Sequence, residues 1–497
     1  MSSVKQSFFW AGIEQVGPRA VQALIGVTLA RLLEPAAFGL VGMLALFISL
    51  AQVFADSGLS GSLIQRKALT PDDETSVWAL NIVAGVTLAG LLCLISPLVA
   101  RFYKQPVLMP MLCVQSLSIL ISSFSIVQSA LLVRAMQFQK TAMIGTVITI
   151  TGGITGIVMA CVGFGVWSLV GSIVSGSLVR SALYWKLSDW RPRGKVRLAC
   201  VRSMWSFSSY LLYCNLIFIT YQNMYAVIIG KFYSPASLGY YDRANNLRML
   251  PVGVMSQVIN RVAFPLLSRC HDDKPLLLRR IREIVRGALL LSAGGLTLLA
   301  VVADPLVPLL LSEKWRPAIP LFRILCYAGV LYPISGLFLT ALQAEGHSNL
   351  NFRLESIKMV NGILAIALVY RYGVQALAWS VVVLALIAFF LNAWYNVRLF
   401  GYRWRMQAMD IMPAIGLCAL SGCTAWWIGN LVLAPAWIVL IVRAGLFLGL
   451  WGGGILCLRK VFFDDFCRHV TSALTRFRQK PSIKNPPPLR SYAPEQR

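Results

Sequence analysis

Long apolar stretches separated by short polar turns run through almost the whole sequence. Apolar windows of about 18 residues recur, and an α-helix of that length crosses a hydrocarbon core of about 30 Å. A membrane β-barrel would show short segments of alternating polarity instead. The pattern therefore predicts an all-α, polytopic membrane protein with about 14 transmembrane helices. The predicted spans are residues 10–30, 38–62, 76–100, 108–131, 142–163, 165–186, 206–230, 238–263, 287–311, 318–342, 353–371, 374–397, 410–430 and 433–458.

Two turns between these spans carry the same signature, 200 residues apart. Residues 31–39 (RLLEPAAFG) and 231–239 (KFYSPASLG) each contain a basic residue, then Pro, an apolar residue and Gly at the same spacing. Weaker matches follow in the same order. They pair residues 129–131 with 340–342 and residues 165–169 with 373–377. The matches predict two copies of a six-helix unit, related by an axis along the membrane normal.

The repeat divides the chain into two predicted lobes. The N-lobe is residues 1–200, with a basic linker near 188–204, and the C-lobe is residues 201–405. An appended pair of helices (406–460) and a basic, Pro-rich cytoplasmic tail (461–497) follow. Lys and Arg concentrate in alternate loops, so the positive-inside rule predicts that both termini lie in the cytoplasm.

One loop segment, residues 273–286, has the pattern of a basic amphipathic helix. Leu277, Ile281, Ile284 and Val285 fall on one face of that helix, and five of the ten other positions are basic. Helices of this kind lie on anionic membrane surfaces. The sequence therefore predicts anionic membrane lipids as partners of this segment.

The composition narrows the function classes. The chain is 57% hydrophobic and 13% charged, with a mean hydropathy of +0.70, whereas a soluble protein carries about a quarter charged residues. The net charge of +26 lies in loops beside the spans, so no nucleic-acid partner is expected. The 11 cysteines form no C-x-x-C pair and there are 3 histidines, so no metal site or other cofactor is predicted. Because catalytic motifs are also missing, the chain is not predicted to be an enzyme.

Charged and amide side chains inside the predicted spans are the candidate functional residues, because a charge in the bilayer needs a cavity or a partner. In the first span, Gln15, Arg19 and Gln22 share one helical face. The guanidinium of Arg19 suits a phosphate ligand, since it donates several hydrogen bonds in one plane. The alternative is a structural ion pair with Glu14 or Asp56. Asp56 itself suits three roles: balancing an Arg, binding a coupling cation, or capping a helix.

The eighth span begins with an unusually polar stretch, residues 240–248 (YYDRANNLR). Asp242 shares a helical face with Asn245 or Asn246, and Arg243 is expected to pair with Asp242. Arg248 lies deeper in the span and has no sequence-local partner.

The remaining polar positions give the predicted cavity more cations than acids. Asn215 and Gln222 form a stripe at a spacing of seven in the seventh span, and Arg180 and Arg323 add positive charge. For Arg180, a guanidinium that snorkels to the cytoplasmic surface fits the sequence equally well. An excess of cations favours a substrate with an anionic head group. The predicted substrate-binding residues are Arg19, Arg248, Arg323, Gln15, Gln22, Asn215, Gln222 and Asn246, and Glu14, Asp56 and Asp242 are predicted to couple ions or balance charge.

Several strings resemble one known group of transporters. They are residues 30–41 (ARLLEPAAFGLV), 56–67 (DSGLSGSLIQRK), 228–231 (IIGK), 238–244 (LGYYDRA) and 261–265 (RVAFP). Together they resemble the Wzx-type polysaccharide flippases of the multidrug/oligosaccharidyl-lipid/polysaccharide exporter superfamily, and most of all the colanic-acid-type exopolysaccharide exporters. The string at 56–67 is specific, whereas the apolar spans are not. The resemblance covers essentially the whole chain.

The resemblance implies a function and a location. It implies two six-helix lobes around a cationic cavity in the bacterial inner membrane. The implied substrate is an undecaprenyl-diphosphate-linked oligosaccharide repeat unit, flipped by alternating access for exopolysaccharide or O-antigen biosynthesis. The Arg19 position resembles the cavity arginine of flippases for lipid-linked precursors. A polysaccharide polymerase and its chain-length machinery are the protein partners that the resemblance suggests.

Two other functions are weighed against this one. A cation-coupled drug antiporter of the same superfamily predicts a cavity dominated by acids, which the excess of Arg argues against. A polytopic polysaccharide polymerase or ligase needs a sizeable periplasmic loop, and every predicted outside loop is short.

Overall fold

The computed structural model describes residues 21–66, 68–268, 273–344 and 348–458, and all regular elements in these ranges are helices. The helices are α1 (Val21–Leu32), α2 (Pro35–Asp56), α3 (Leu59–Gln65), α4 (Pro71–Tyr103), α5 (Leu108–Ser123), α6 (Ile126–Arg134), α7 (Phe138–Cys161), α8 (Trp167–Leu187), α9 (Leu198–Phe232), α10 (Pro235–Ser268), α11 (Lys274–Val301), α12 (Ala303–Leu311), α13 (Ala318–Ala344), α14 (Ser348–Val369), α15 (Val374–Phe400), α16 (Trp404–Leu431) and α17 (Ala436–Leu458), with a 3-10 turn at Glu313–Trp315. The predicted fold class, an all-α polytopic membrane protein, is confirmed.

The length and apolarity of these helices identify the spans. Within the described ranges, nine helices are long and apolar enough to cross a membrane. The pair α5 and α6, bent by 45° at its break, makes a tenth span if it is counted as one. The predicted number of about 14 spans stays a prediction.

Local sequence sets several helix ends. Thr70 and Asp73 form a capping box at the start of α4, in which each side chain accepts a hydrogen bond from the other residue's backbone N–H. Proline occupies the first turn of α2, α4, α10 and α11, where no intrahelical N–H bond is lost. Between α2 and α3, Ser57 and Gly58 both have positive φ. An added Cβ at Gly58 would also lie 2.5 Å from the Ser208 carbonyl oxygen, so glycine is required there.

The linker between the two predicted lobes is packed against the first turns of α4. The indole Nε1 of Trp190 donates to Glu74 Oε2 at 2.7 Å, and the backbone N–H of Lys195 donates to Asp72 Oδ1 at 2.8 Å. The acidic residues in the first turn of α4 interact favourably with the positive end of the helix dipole, and two of them also bind the linker.

Two buried apolar clusters form most of the core. The larger contains residues of both predicted lobes, including Met43 of α2 and Leu238 of α10. The second lies among α10, α11 and α13 to α17. Helices α16 and α17 therefore share a core with the second lobe. The division of the chain into domains itself stays a prediction.

The structure corrects the placement of residues 273–286. This segment is the first part of α11, and Leu277, Ile281 and Val285 are buried in the second core cluster. An apolar face that packs against other helices is not available to the bilayer surface. The predicted surface helix is therefore wrong, although its amphipathic pattern was read correctly.

A buried carboxylate explains the basic residues of this segment. The Asp410 side chain is 0% exposed and receives Arg282 Nε at 2.7 Å, Arg286 Nε at 2.8 Å and the Tyr402 hydroxyl at 2.8 Å. These bonds join α11 to α16 and to Tyr402, which lies two residues before α16.

We expect Asp410→Asn to lower the free energy of unfolding by about 2 kcal/mol, because two arginines lose their shared counter-ion. The matched control is Glu355→Gln, which breaks the exposed pair with Lys358 and should cost less than about 1 kcal/mol. Thermal unfolding of the purified protein in detergent measures both. Equal effects of the two variants would contradict the role of Asp410.

Candidate functional site where the two halves meet

The two Pro-Gly signatures lie directly against each other. An added Cβ at Gly39 would lie 1.7 Å from the Pro235 carbonyl oxygen, and one at Gly239 would lie 2.0 Å from the Pro35 carbonyl oxygen. The contact is reciprocal, as expected for two copies related by a twofold axis. Only glycine lets the α2 and α10 backbones come this close. We call this the Pro-Gly contact.

The basic residue of each signature reaches across to the other half. Arg31 Nε donates to the Leu310 carbonyl oxygen at 2.7 Å, and its Nη2 donates to that of Leu309, at the end of α12. Lys231 Nζ donates to the Phe102 carbonyl oxygen at the end of α4 and lies 4.2 Å from the Phe102 ring centroid. A cation at the carbonyl end of a helix is favourable because those carbonyls lack intrahelical partners. Arg31 and Lys231 therefore bridge the halves symmetrically.

Trp315 and Arg243 extend the contact toward α1. The Trp315 indole donates to the Ala30 carbonyl oxygen at 2.7 Å and meets the Phe38 ring edge-on. The Arg243 guanidinium carbon lies 4.2 Å from the centroid of the same Phe38 ring. Its Nη1 lies 3.2 Å from where a Cβ on Gly26 would be. The expected Arg243–Asp242 ion pair is not formed in the described part of the chain, and Arg243 instead contacts the opposite half.

Asp242 occupies space that its counterpart leaves open. Residue 242 matches Gly42 in the repeat, and Asp242 Oδ2 lies 2.5 Å from where a Cβ on Gly42 would be. The repeat is therefore broken at this position, with a carboxylate facing a glycine.

Arg248 is a buried cation without an acidic partner among the described residues. It is 7% exposed, its Nη2 donates to Asn245 Oδ1 at 2.7 Å, and its Nη1 reaches the Leu325 carbonyl oxygen at 3.5 Å. Its Nε has no hydrogen-bond partner in the structure. Burial of a charge with so few partners is costly, which is a feature of functional sites in membrane proteins.

Arg323 differs from Arg248 because it is paired. It donates to Asp304 and, at 3.2 Å, to the Ala300 carbonyl oxygen. Arg443 of α17 also donates to Asp304, at 2.8 Å. These contacts join α12, α13 and α17. The predicted substrate-binding role of Arg323 has no support from this pairing and stays a prediction.

The other predicted site residues are placed as follows. Asp56 Oδ1 accepts hydrogen bonds from the backbone N–H and the hydroxyl of Ser60, so one carboxylate oxygen caps α3. Four amide side chains that were predicted to bind substrate lie in the described helices, and all four are exposed: Gln22, Asn215, Gln222 and Asn246. Their roles stay predictions. Gln15, Arg19 and Glu14 lie outside the described residues.

Sequence reasoning missed three contributors to the contact between the halves. Arg31 and Lys231 were identified only as the basic residues of the repeated signature, and no pattern in the sequence pointed to Trp315. The repeat could have found the first two, because equivalent basic residues beside a symmetric turn are placed to reach equivalent helix ends.

Comparison with known proteins gives the family. The family model described as "Polysaccharide biosynthesis protein" matches residues 28–320, more than half of the chain. The chain belongs to this family. The predicted resemblance to polysaccharide exporters is therefore confirmed.

Two relatives are similar to this chain over most of their length. The lipopolysaccharide biosynthesis protein WzxC of Escherichia coli (strain K12) is 26% identical over 365 residues, covering 72% of this chain and 73% of WzxC. The succinoglycan biosynthesis transport protein ExoT of Rhizobium meliloti (strain 1021) is 26% identical over 416 residues, covering 83% of this chain and 81% of ExoT.

Solved structures share the fold. The lipid II flippase MurJ in an inward closed conformation superposes with a TM-score of 0.74 at 13% identity, covering 90% of this chain and 99% of MurJ. An inward-facing multidrug resistance MATE family transporter superposes with a TM-score of 0.59 at 15% identity, covering 76% of this chain and 95% of that one. The chain therefore has the fold of the MurJ and MATE transporters.

Proposed function

We propose that this protein flips a lipid-linked oligosaccharide, with an undecaprenyl diphosphate carrier, across the bacterial inner membrane. Its family and the names of its relatives, which include a flippase and a polysaccharide transport protein, support the substrate class. The single observation that carries the mechanism is the reciprocal Pro-Gly contact, which joins two matched halves at the first turns of α2 and α10. Two matched halves that meet in this way suit alternating access.

The head group is proposed to bind beside the polar start of α10. Arg243 and Arg248 are buried or half-buried there, and the structure shows neither in an ion pair within the described residues. One carboxylate, Asp242, precedes them in the chain, so the stretch of one acid and two arginines keeps a net positive charge. A diphosphate supplies the missing negative charge, and guanidinium groups bind phosphate oxygens in a fork geometry.

The transport cycle follows from the contacts between the halves. We propose that the Pro-Gly contact, together with Arg31 and Lys231, keeps the periplasmic end closed while the head group enters from the cytoplasm. Separation of these contacts exposes the head group to the periplasm, and the polyprenyl chain stays in lipid because its transfer to water is unfavourable. The protein acts without changing covalent bonds in the substrate. With this proposed orientation, both termini would lie in the cytoplasm, as the positive-inside rule predicts.

Reconstitution in proteoliposomes tests the proposal. We expect the full chain to move an undecaprenyl-diphosphate-linked oligosaccharide between leaflets, measured as protection of the fluorescently labelled sugar from an external quencher. Protein-free liposomes are the control. Runs with and without a proton or sodium gradient test coupling through Asp56 or Asp242. Flipping no faster than in protein-free liposomes, under every gradient, would contradict the proposed function.

A further inference from the structure

A polar cavity inside the first half is separate from the contact between the halves. It has a volume of about 330 Å³ and lies among α2, α3, α5, α6 and α8. This volume is at the lower end of small-molecule sites. Its polar lining residues are Gln52, Asp56, Ser60, Ser122, Ser129 and Arg180.

Two helix breaks border this cavity. One separates α2 from α3 after Asp56, and the other separates α5 from α6, which meet at 45°. The Trp185 indole donates to the Phe124 carbonyl oxygen at the second break, at 3.0 Å. Interrupted helices at membrane depth occur where the backbone is buried in protein or lines a cavity that binds polar ligands.

The second half lacks the corresponding breaks in the part that the structure describes. In the repeat, α10 corresponds to α2 with α3, and α13 corresponds to α5 with α6. Both α10 (Pro235–Ser268) and α13 (Ala318–Ala344) are continuous. The breaks are therefore a property of the first half and not a requirement of the fold.

Asp56 and Arg180 both line the cavity but do not form an ion pair with each other. Asp56 uses Oδ1 to cap α3, and no described group bonds to Oδ2. Arg180 is exposed, forms no ion pair with Asp56, and rests near the Tyr184 ring, whose hydroxyl accepts a hydrogen bond from Ser129. The guanidinium is thus held on the cavity wall by an aromatic neighbour, away from the carboxylate.

This arrangement selects the chemistry of the ligand. A free phosphate is disfavoured by Asp56, and a cation is disfavoured by Arg180. A neutral polyol satisfies both groups, because each hydroxyl donates one hydrogen bond and accepts others. The cavity also has aliphatic lining from Ile119, Ile126 and Val133, which suits the C–H face of a sugar ring.

We propose that this cavity binds a sugar of the lipid-linked oligosaccharide, with Asp56 and Arg180 as hydrogen-bonding partners of its hydroxyls. The inference rests on the proposed function and adds a neutral sugar subsite to the cationic site of α10. The two subsites recognise different parts of one substrate.

The test compares two lipids on the full-length protein in nanodiscs. One is undecaprenyl diphosphate, and the other, the glucose-bearing lipid, is undecaprenyl diphosphate carrying a linear oligosaccharide of several glucose units, because Asp56 lies about 21 Å along α2 from the Gly42 position that faces Asp242. We expect Arg180→Gln to weaken binding of the glucose-bearing lipid about tenfold, the loss of one charge-assisted hydrogen bond. Binding of the bare lipid should stay within about twofold. Arg180 makes no ion pair in the described structure, so this variant is expected to fold.

Asp56→Asn and Arg202→Gln complete the experiment. Asp56→Asn keeps the oxygen that caps α3 and should weaken binding of the glucose-bearing lipid selectively. Arg202→Gln removes an exposed arginine outside the cavity and should change neither affinity. Equal weakening of both lipids by Arg180→Gln, or no weakening of either, overturns the sugar subsite alone. Failure of the unmodified protein to bind either lipid overturns the proposed function and the subsite together.

Discussion

Arg248→Gln is expected to reduce flipping by at least about tenfold while leaving the protein as stable as before or more stable. The reason for the loss is the charge that Arg248 contributes to diphosphate binding. The reason for the retained stability is that a buried guanidinium with an unpartnered Nε and no described carboxylate partner costs free energy in the substrate-free protein. Flipping in proteoliposomes and thermal unfolding of the same preparations measure the two effects.

Arg323→Gln is the matched comparison for Arg248→Gln. Arg323 donates to Asp304, which Arg443 also contacts, so its loss should lower the free energy of unfolding by about 1 kcal/mol. Flipping per folded molecule should change less than with Arg248→Gln. If Arg323→Gln abolished flipping and Arg248→Gln did not, the ranking of the two arginines would be reversed. Arg248→Lys keeps the charge and should restore part of the activity.

The repeated signature predicted two related halves, but not that its two copies contact each other. A Pro at the first helical position and a Gly four residues later recur at equivalent turns, and equivalent turns near a twofold axis contact each other. The apolar pattern likewise predicted the fold class, because bilayer thickness imposes helix length directly. The Pro-Gly signature is a local pattern and the apolar spans are a recurring one, so both can be recognised from the sequence alone.

The charges were harder to place than the helices. Asp242 and Arg243 are adjacent in sequence, yet successive residues on a helix point in different directions, and Arg243 faces α1 and α2. The basic face of residues 273–286 was predicted to bind the membrane surface. Its counter-ion, Asp410, could not be recognised because it lies 128 residues beyond Arg282. Partners so distant in sequence leave no local pattern.

Gly39→Ala should open the Pro-Gly contact, although it adds a single methyl group. The new Cβ would lie 1.7 Å from the Pro235 carbonyl oxygen, which forces α2 and α10 apart. We expect flipping to fall at least about tenfold, since the closed end is required in each cycle and interfaces of this kind do not deform continuously. Gly239→Ala meets the Pro35 carbonyl oxygen at 2.0 Å and should have the same effect.

Gly90→Ala is the control with the same chemistry. Gly90 lies within α4, is exposed, and has no atom within 4 Å of an added Cβ. Because Ala favours helix over Gly by about 1 kcal/mol, this variant should be slightly more stable and fully active. A loss of flipping with Gly90→Ala comparable to that with Gly39→Ala would assign the effect to helix composition and not to the contact.

Accessibility of residue 30 shows whether the contact has opened. Ala30 is 0% exposed, and its carbonyl oxygen accepts the Trp315 indole bond. A cysteine at this position, in a background with the exposed native cysteines replaced, should react slowly with a membrane-impermeant maleimide applied to either side. Adding Gly39→Ala should raise the rate at least about fivefold from one side only, as expected for exposure of a site by separation of two packed surfaces. An unchanged rate from both sides would show that α2 and α10 stay together, and the Pro-Gly contact would then not be the closure on which the proposed cycle depends.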